Sequence, residues 1–303
     1  SFRLQNLTAN RKYRYRIHAK AIVSFEPYKV VYGEEIVSAE AQFSTLADNQ
    51  DTVSCVILND IHGNVDSYAS LLGLVALQEQ DFIVNNGDAV DYLGTAEDLE
   101  DKILAPMAQQ LKGAVPFIMN RGNHETRGAY AFHYNAYFDY PKGHNYHSFV
   151  QGNTCWVFLD TGEDKPDGEA VYAGLADYDA YREEQAAWFA ALAESPSYKN
   201  ALFKVVVMHI PPFASGDWHG TMHVRKLFSP LFDKYAVDLV VSGHTHTHGH
   251  HPANGEHAYP ILIGAGPKVG GRTLITLKGA GRTLSYALLK EGGELLFSKT
   301  LEK

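Results

Sequence analysis

Residues 53–63 read Val53-Ser54-Cys55-Val56-Ile57-Leu58-Asn59-Asp60-Ile61-His62-Gly63, a short apolar run that stops abruptly at two potential ligands. Runs of this length and branching suit strands buried on both faces, as parallel sheets provide. The pattern recurs along the chain. Residues 82–84 lead into Gly87-Asp88-Ala89-Val90-Asp91, and 117–119 into Gly122-Asn123-His124-Glu125. Residues 205–208 lead to His209, and 239–241 to Gly243-His244-Thr245-His246. A sixth run spans 155–159. Amphipathic patterns over 67–78, 96–111, 181–193 and 224–235 alternate with these runs, which predicts an α/β fold. In such a sheet ligands bind in the crevice beyond the carboxyl ends of the strands, so the polar endings are expected to meet in one place.

The chain has 303 residues, enough for one large domain or a large and a small one. Residues 53–303 form the large unit in this reading, and 1–46 differ in character. Tyr13, Tyr15 and Ile17 alternate with Lys12, Arg14 and Arg16, a strand pattern with a basic outer face, and a second strand ends in Phe43-Ser44-Thr45-Leu46. Between them lies a polar, tyrosine-bearing stretch without helical periodicity. This β segment resembles the later strands of a fibronectin type III sandwich, which needs about 100 residues; a partial domain at 1–46 with a linker at 47–52 is therefore expected. Such a domain implies an extracytoplasmic location, periplasmic or secreted. After residue 258, strand and turn signals such as 273–277 and 284–289 should complete a sheet.

Lys and Arg number 26 against 35 Asp and Glu, a net charge of −9 that argues against general nucleic-acid or anionic-membrane binding. No apolar run approaches the roughly 20 residues of a membrane span. Cys55 and Cys155 sit inside apolar runs and read as free core thiols. Histidine is enriched, with 15 residues, and His244, His246, His248, His250, His251 and His257 crowd one stretch, which suggests metal chemistry. Within it, His248, His250 and His251 read as ordinary loop residues. Asp60 and His62, like His244 and His246, are two apart, so extended backbone would direct each pair to one side. Glycine before Asp88, Asn123 and His244 permits close backbone approach. Carboxylate, amide and imidazole donors without thiolate suit Mn, Fe, Zn or Ni in a catalytic rather than a structural site.

The ordered blocks Asp-x-His, Gly-Asp-x-x-Asp, Gly-Asn-His-Glu, a strand-end His and Gly-His-x-His resemble the calcineurin-like metallophosphoesterase superfamily over about residues 53–300. The fibronectin-like piece, the aromatic stretch 122–141 and His209-Ile210-Pro211-Pro212 followed by Trp218-His219-Gly220 look like its purple acid phosphatase branch. That branch carries a metal-binding tyrosine where this chain has Asp91, and Tyr92 falls one position late, so the resemblance implies a colourless centre. It further implies layered β-sheets flanked by helices and two divalent or mixed-valence metal ions. Asp60, His62 and His246 would hold one ion, Asn123, His209 and His244 the other, with Asp88 bridging. A hydroxide shared by the ions would be the nucleophile, and His124, oriented by Asp91, would protonate the leaving oxygen. His219 is a candidate substrate contact, His223 reads as a loop histidine, and Tyr130, Phe132, Tyr134, Tyr137, Phe138 and Tyr140 read as packing. Gly264-Ala265-Gly266 mimics a dinucleotide loop but lacks the helix that should follow. The implied activity is hydrolysis of a phosphate monoester or diester. A narrow phosphodiesterase or nucleotidase, and a non-catalytic binding module on the same fold, are the alternatives.

Overall fold

The computed structural model describes residues 4–47 and 50–303; the expected linker at 47–52 falls partly on positions outside these. The N-terminal segment is β throughout. β1 (Lys12–Tyr15) pairs antiparallel with β4 (Ala41–Ser44), and between them β2 (His18–Glu26) and β3 (Lys29–Val37) form a long hairpin. The hairpin is what the polar stretch between the two recognised strands becomes. Tyr13 and Phe43 stack across the first ladder at 5.6 Å, and Arg14 and Arg16 both reach Glu40, so the basic face is partly neutralised.

The remaining strands build two mixed sheets. In the first, β5 (Thr52–Leu58), β6 (Phe82–Asn86) and β7 (Phe117–Asn120) run parallel. The C-terminal strands β14 (Thr273–Ala280), β15 (Thr283–Lys290) and β16 (Leu295–Glu302) extend it antiparallel from the β5 edge, giving the order β16-β15-β14-β5-β6-β7. The second sheet centres on the parallel strands β9 (Thr154–Leu159), β10 (Phe203–Met208), β11 (Leu239–Ser242) and β13 (Ile261–Ile263). The strands β8 (His147–Gln151) and β12 (Gly249–His251) close its two edges antiparallel. Each of the six expected apolar runs lies within one of these strands.

The two sheets face each other across a core of Val84, Trp156, Phe158, Val207, Ile275 and Leu288. Helices cover the outer faces, giving four layers. On the second sheet, Val224, Phe228 and Phe232 form one stripe of the helix His219–Lys234, and Ala186, Phe189 and Ala193 one stripe of the helix Tyr178–Ala193. Burying each such Phe or Val is worth about 1.5–3 kcal/mol, so these stripes fix both helices on the sheet. On the first sheet, Tyr68, Leu71, Met107 and Leu111 do the same.

Two expected helices are interrupted. The pattern over 67–78 stops at Gly73, whose N–H closes the helix Asp66–Leu72 on Ala69 O, and only a short 3₁₀ turn follows at Leu77–Glu79. The pattern over 96–111 is Ala96–Leu99, a wide π turn at Glu100–Leu104, then Ala105–Leu111. Pro106 has no N–H for the preceding turn, which is the local reason regular α pairing fails there. Cys55 and Cys155 are buried and free, as expected.

Candidate metal centre

Asp60 and His62 follow β5, Asp88 and Asp91 follow β6, Asn123 and His124 follow β7, His209 follows β10, and His244 and His246 follow β11. All therefore leave the carboxyl ends of parallel strands, at the edge where the crevice between the sheets opens. Backbone bonds lace these loops together: Asp60 N–H donates to Gly87 O, His62 N–H to Asp88 O, and Gly243 N–H to His209 O, at 2.9–3.1 Å.

The local backbone differs from the extended form anticipated. Asp60, His62, Asp88, His244 and His246 all have positive φ, between 49° and 71°. Asp, Asn and His are the non-glycine residues that best tolerate this left-handed region. Each i, i+2 pair converges through left-handed turns rather than through strand pleating. Gly87, also at positive φ, shows why no side chain fits beside Asp88: a Cβ there would lie 2.5 Å from His209 Nδ1.

The donors collect in two groups among the described residues. Asp60, His62, Asp88 and His246 each present a ligand atom within 4.8 Å of the others, and so do Asp88, His209 and His244. Asp88 belongs to both. Asn123 Oδ1 stands 3.1 Å from His244 Nδ1, which adds the amide to the second group.

Whether these residues fit metal ions can be judged from their unmet needs. His209 is fully buried; its Nδ1 donates to Asn86 O at 2.8 Å, so Nε2 is turned inward. That Nε2 lies 3.0 Å from Asp88 Oδ2 yet makes no aligned hydrogen bond. His62 Nδ1 donates to the Asp91 carboxylate at 2.8 Å, and its Nε2 faces His246 Nε2 at 3.0 Å. Two imidazole nitrogens at that distance need a proton or a cation between them. Asp60 and Asp88 are buried carboxylates, which demand compensating positive charge. Burial, with Asp88 alongside, pushes the Asp60 carboxyl up, whereas at Asp88 burial is outweighed by His209 and His124, which hold it well below the carboxylate range. The donor set fits two ions sharing Asp88, and the Nδ1 bonds to Asn86 and Asp91 are the outer-shell contacts that orient metal-binding histidines.

A model of the family described as Calcineurin-like phosphoesterase matches residues 54–248, more than half of the chain. The chain belongs to the calcineurin-like phosphoesterase family. It is 26% identical over 154 residues to purple acid phosphatase 1 of Ipomoea batatas, a stretch covering 48% of this chain and 31% of that protein. Together these put it on a branch near the purple acid phosphatases. A purple acid phosphatase from yellow lupin (Lupinus luteus) seeds shares the fold at TM-score 0.72 and 16% identity, covering 99% of this chain and 61% of that one. A dimetal phosphatase from Danio rerio does so at TM-score 0.59 and 12% identity, covering 82% and 98% respectively. The chain thus spans about a third of the curated phosphatase it matches.

Around the candidate centre, three contacts differ from the sequence expectation or carry no signal in the sequence. Asp91 was expected to orient His124 with its carboxylate. It meets His124 Nδ1 through its backbone carbonyl instead, at 2.7 Å, because the carboxylate is committed to His62. His219, a candidate substrate contact, is the first residue of its helix, and its Nε2 meets the Asp179 carboxylate at 2.8 Å. Arg127 carries no spacing signal in the sequence. Glu163 grips its Nε and Nη2 at 2.7 and 2.9 Å, which leaves Nη1 3.0 Å from His124 Nε2. Burial, and Arg127 in addition, lowers the His124 pKa against the pull of Asp88.

Two further parts escaped the sequence. Glu125 is fully buried and accepts from the N–H groups of Asp88, Ala89, Val90 and Gly122. Burial and Asp88 push its pKa up to about 7, while the four amides favour the anion. The glycines of 264–266, which no helix follows, lie against Asn59 and Asp60, where a Cβ would collide with both. Asn59 in turn donates to the Asp60 carboxylate. Of the aromatic stretch, Tyr134 and Tyr140 are buried and bonded to each other, as packing predicts. Phe132 is the exception: it is 77% exposed and lines a largely apolar cavity with Arg127, Val171, Tyr172 and Leu175. His250, within β12, stacks on Phe297, in keeping with its reading as non-ligand.

Proposed function

We propose that this protein is a dinuclear metal-dependent hydrolase of phosphate esters. The observation that carries the reading is the paired donor set, with the buried carboxylate of Asp88 common to both groups. Asp60, His62 and His246 are assigned to one ion, Asn123, His209 and His244 to the other, and Asp88 to the bridge. When bound, two such ions supply Lewis acidity at the phosphoryl oxygens and lower the pKa of a water into the working range. Asn86 and Asp91 hold His209 and His62 in the tautomers that turn Nε2 inward. Arg127, pinned by Glu163, offers Nη1 to a phosphate lying beside His124. Charge neutralisation of this kind is most of what phosphoryl transfer asks of a protein.

His124 is assigned as the general acid. The Asp91 carbonyl holds Nδ1–H, so in the imidazolium form the second proton, on Nε2, is the one available to the leaving oxygen, and its loss leaves the neutral ring still bonded to Asp91. A positioned acid contributes about 10²–10⁴-fold, most where the leaving group is a poor one. His124→Asn is therefore expected to retain both ions, to lose activity steeply on alkyl phosphates and to lose less on nitrophenyl phosphate. Equal losses on both substrates, or loss of metal, would remove His124 from this role. The retention of all seven donors with His124 favours an enzyme over a binding module. The same reading takes residues 1–46 as the last strands of a fibronectin type III-like domain and, with it, an extracytoplasmic location; its support is the Tyr13 and Phe43 pairing across β1 and β4.

A further inference from the structure

Away from the centre just described, a second set of metal-ligand side chains converges. His219 and His223 are four apart on the first turns of the helix His219–Lys234, so they project from one face, and their rings lie 5.8 Å apart, inclined by 28°. Asp179, on the first turn of the helix Tyr178–Ala193, points between them. Its carboxylate oxygens are both 2.8 Å from His219 Nε2, and Oδ1 is 3.1 Å from His223 Nδ1. Among the described residues these three side chains form their own group, with ligand atoms within 4.8 Å of one another.

We propose that Asp179, His219 and His223 form a third metal site, for a borderline divalent ion such as Zn²⁺. Three features carry this. Two imidazoles spaced H-x-x-x-H on a helix with a carboxylate from a second element is the arrangement by which proteins hold zinc. Ligand atoms bound at about 2.0–2.1 Å in a tetrahedral site stand about 3.3 Å apart, so separations of 2.8 and 3.1 Å need little adjustment to admit an ion. Third, His223 Nδ1 is buried and makes no aligned hydrogen bond, although an oxygen is within reach. A simple ion pair would align that contact, whereas a shared cation would use the lone pair as it stands.

Arg182 is the apparent obstacle, because its Nη1 donates to Asp179 Oδ1 at 2.7 Å. Its guanidinium is anchored elsewhere, however, through Nε to Thr161 O and Nη2 to Glu163 O. A carboxylate has about four acceptor positions, so one guanidinium bond leaves room for an ion and fixes the carboxylate orientation, as outer-shell donors do. Asp179 and His219 are each about one-third exposed, which provides an entry path and an open coordination position for water. Arg182 and Glu163 link the site to the proposed phosphoesterase centre, and its occupancy does not depend on the dinuclear reading.

The test is a count of Co²⁺ or Zn²⁺ retained by the full chain after metal stripping, reconstitution and gel filtration, for the wild type, His223→Gln and His219→Gln. Each variant should retain one equivalent fewer than the wild type, whatever the wild-type total. Anomalous diffraction from wild-type crystals soaked in Zn²⁺ should add a peak bounded by residues 179, 219 and 223, a readout that survives if a variant fails to fold. Equal retention by wild type and folded variants, or no peak there, would overturn the proposal and leave a plain Asp179 ion pair. A wild-type total below three with the one-equivalent difference intact would instead count against the dinuclear centre.

Discussion

Replacing Asp91 separates two routes by which one residue could serve this site. Its carboxylate accepts from His62 Nδ1 at 2.8 Å, and its backbone carbonyl accepts from His124 Nδ1 at 2.7 Å. Asp91→Ala removes the first contact and keeps the second. Loss of an outer-shell carboxylate behind a metal-binding histidine typically costs 10–100-fold in metal affinity, or about 1.4–2.8 kcal/mol. The Asp91 side chain is 66% exposed, so solvent screening weakens its bond and puts the effect near the lower end, about tenfold. The loss should fall on the ion assigned to Asp60, His62 and His246, read by competition with a chromophoric chelator. At saturating metal, kcat/KM across a series of alkyl and aryl phosphates should keep the wild-type dependence on leaving group. Unchanged metal affinity with activity lost mainly on poor leaving groups would refute the assignment and return the carboxylate to His124.

Two other outcomes follow from buried groups. His147, on β8, stacks on Phe158 at 4.7 Å with no hydrogen bond at Nδ1, and burial lowers its pKa to about 4. Because the folded state binds this proton less readily than the unfolded chain, the neutral ring's contribution is whole above about pH 6.5 and erodes as pH falls towards 4, by roughly 3 kcal/mol. In urea titrations of metal-free protein, His147→Phe should lose less stability than the wild type between pH 7 and 4.5; parallel losses would exclude His147 as a source. Asp88→Ala should empty both positions of the dinuclear centre in elemental analysis, whereas His62→Ala should mainly weaken one, and an Asp88 variant that keeps one of that pair would argue against a shared bridge.

What the sequence made legible was whatever is written in short-range order. Apolar runs such as 55–58 and 205–208 marked strands because burial on both faces leaves no polar positions to confuse the period. The site was legible because each donor sits just past such a run, where sheet geometry brings separate loops together. Less visible was anything decided by a single backbone atom or a distant partner. The role of Asp91 turned on which of its two oxygen-bearing groups faces His124, which composition cannot express. Arg127 and Glu163 lie 36 residues apart and carry no spacing signal, and the left-handed turns at Asp60 and His244 masquerade as strand alternation because both bring i and i+2 together. The β2–β3 hairpin was missed because its apolar residues face solvent on both sides and leave no alternation to read.

The four amides gathered by Glu125 bear on how metal uptake should proceed. The loop carrying Asp88 is clasped to the loop carrying Asn123 by a side chain that binds backbone amides and supplies none of the proposed metal-donor atoms, so the spacing of the two loops is set by the chain itself. An arriving ion then spends little of its binding energy on ordering backbone.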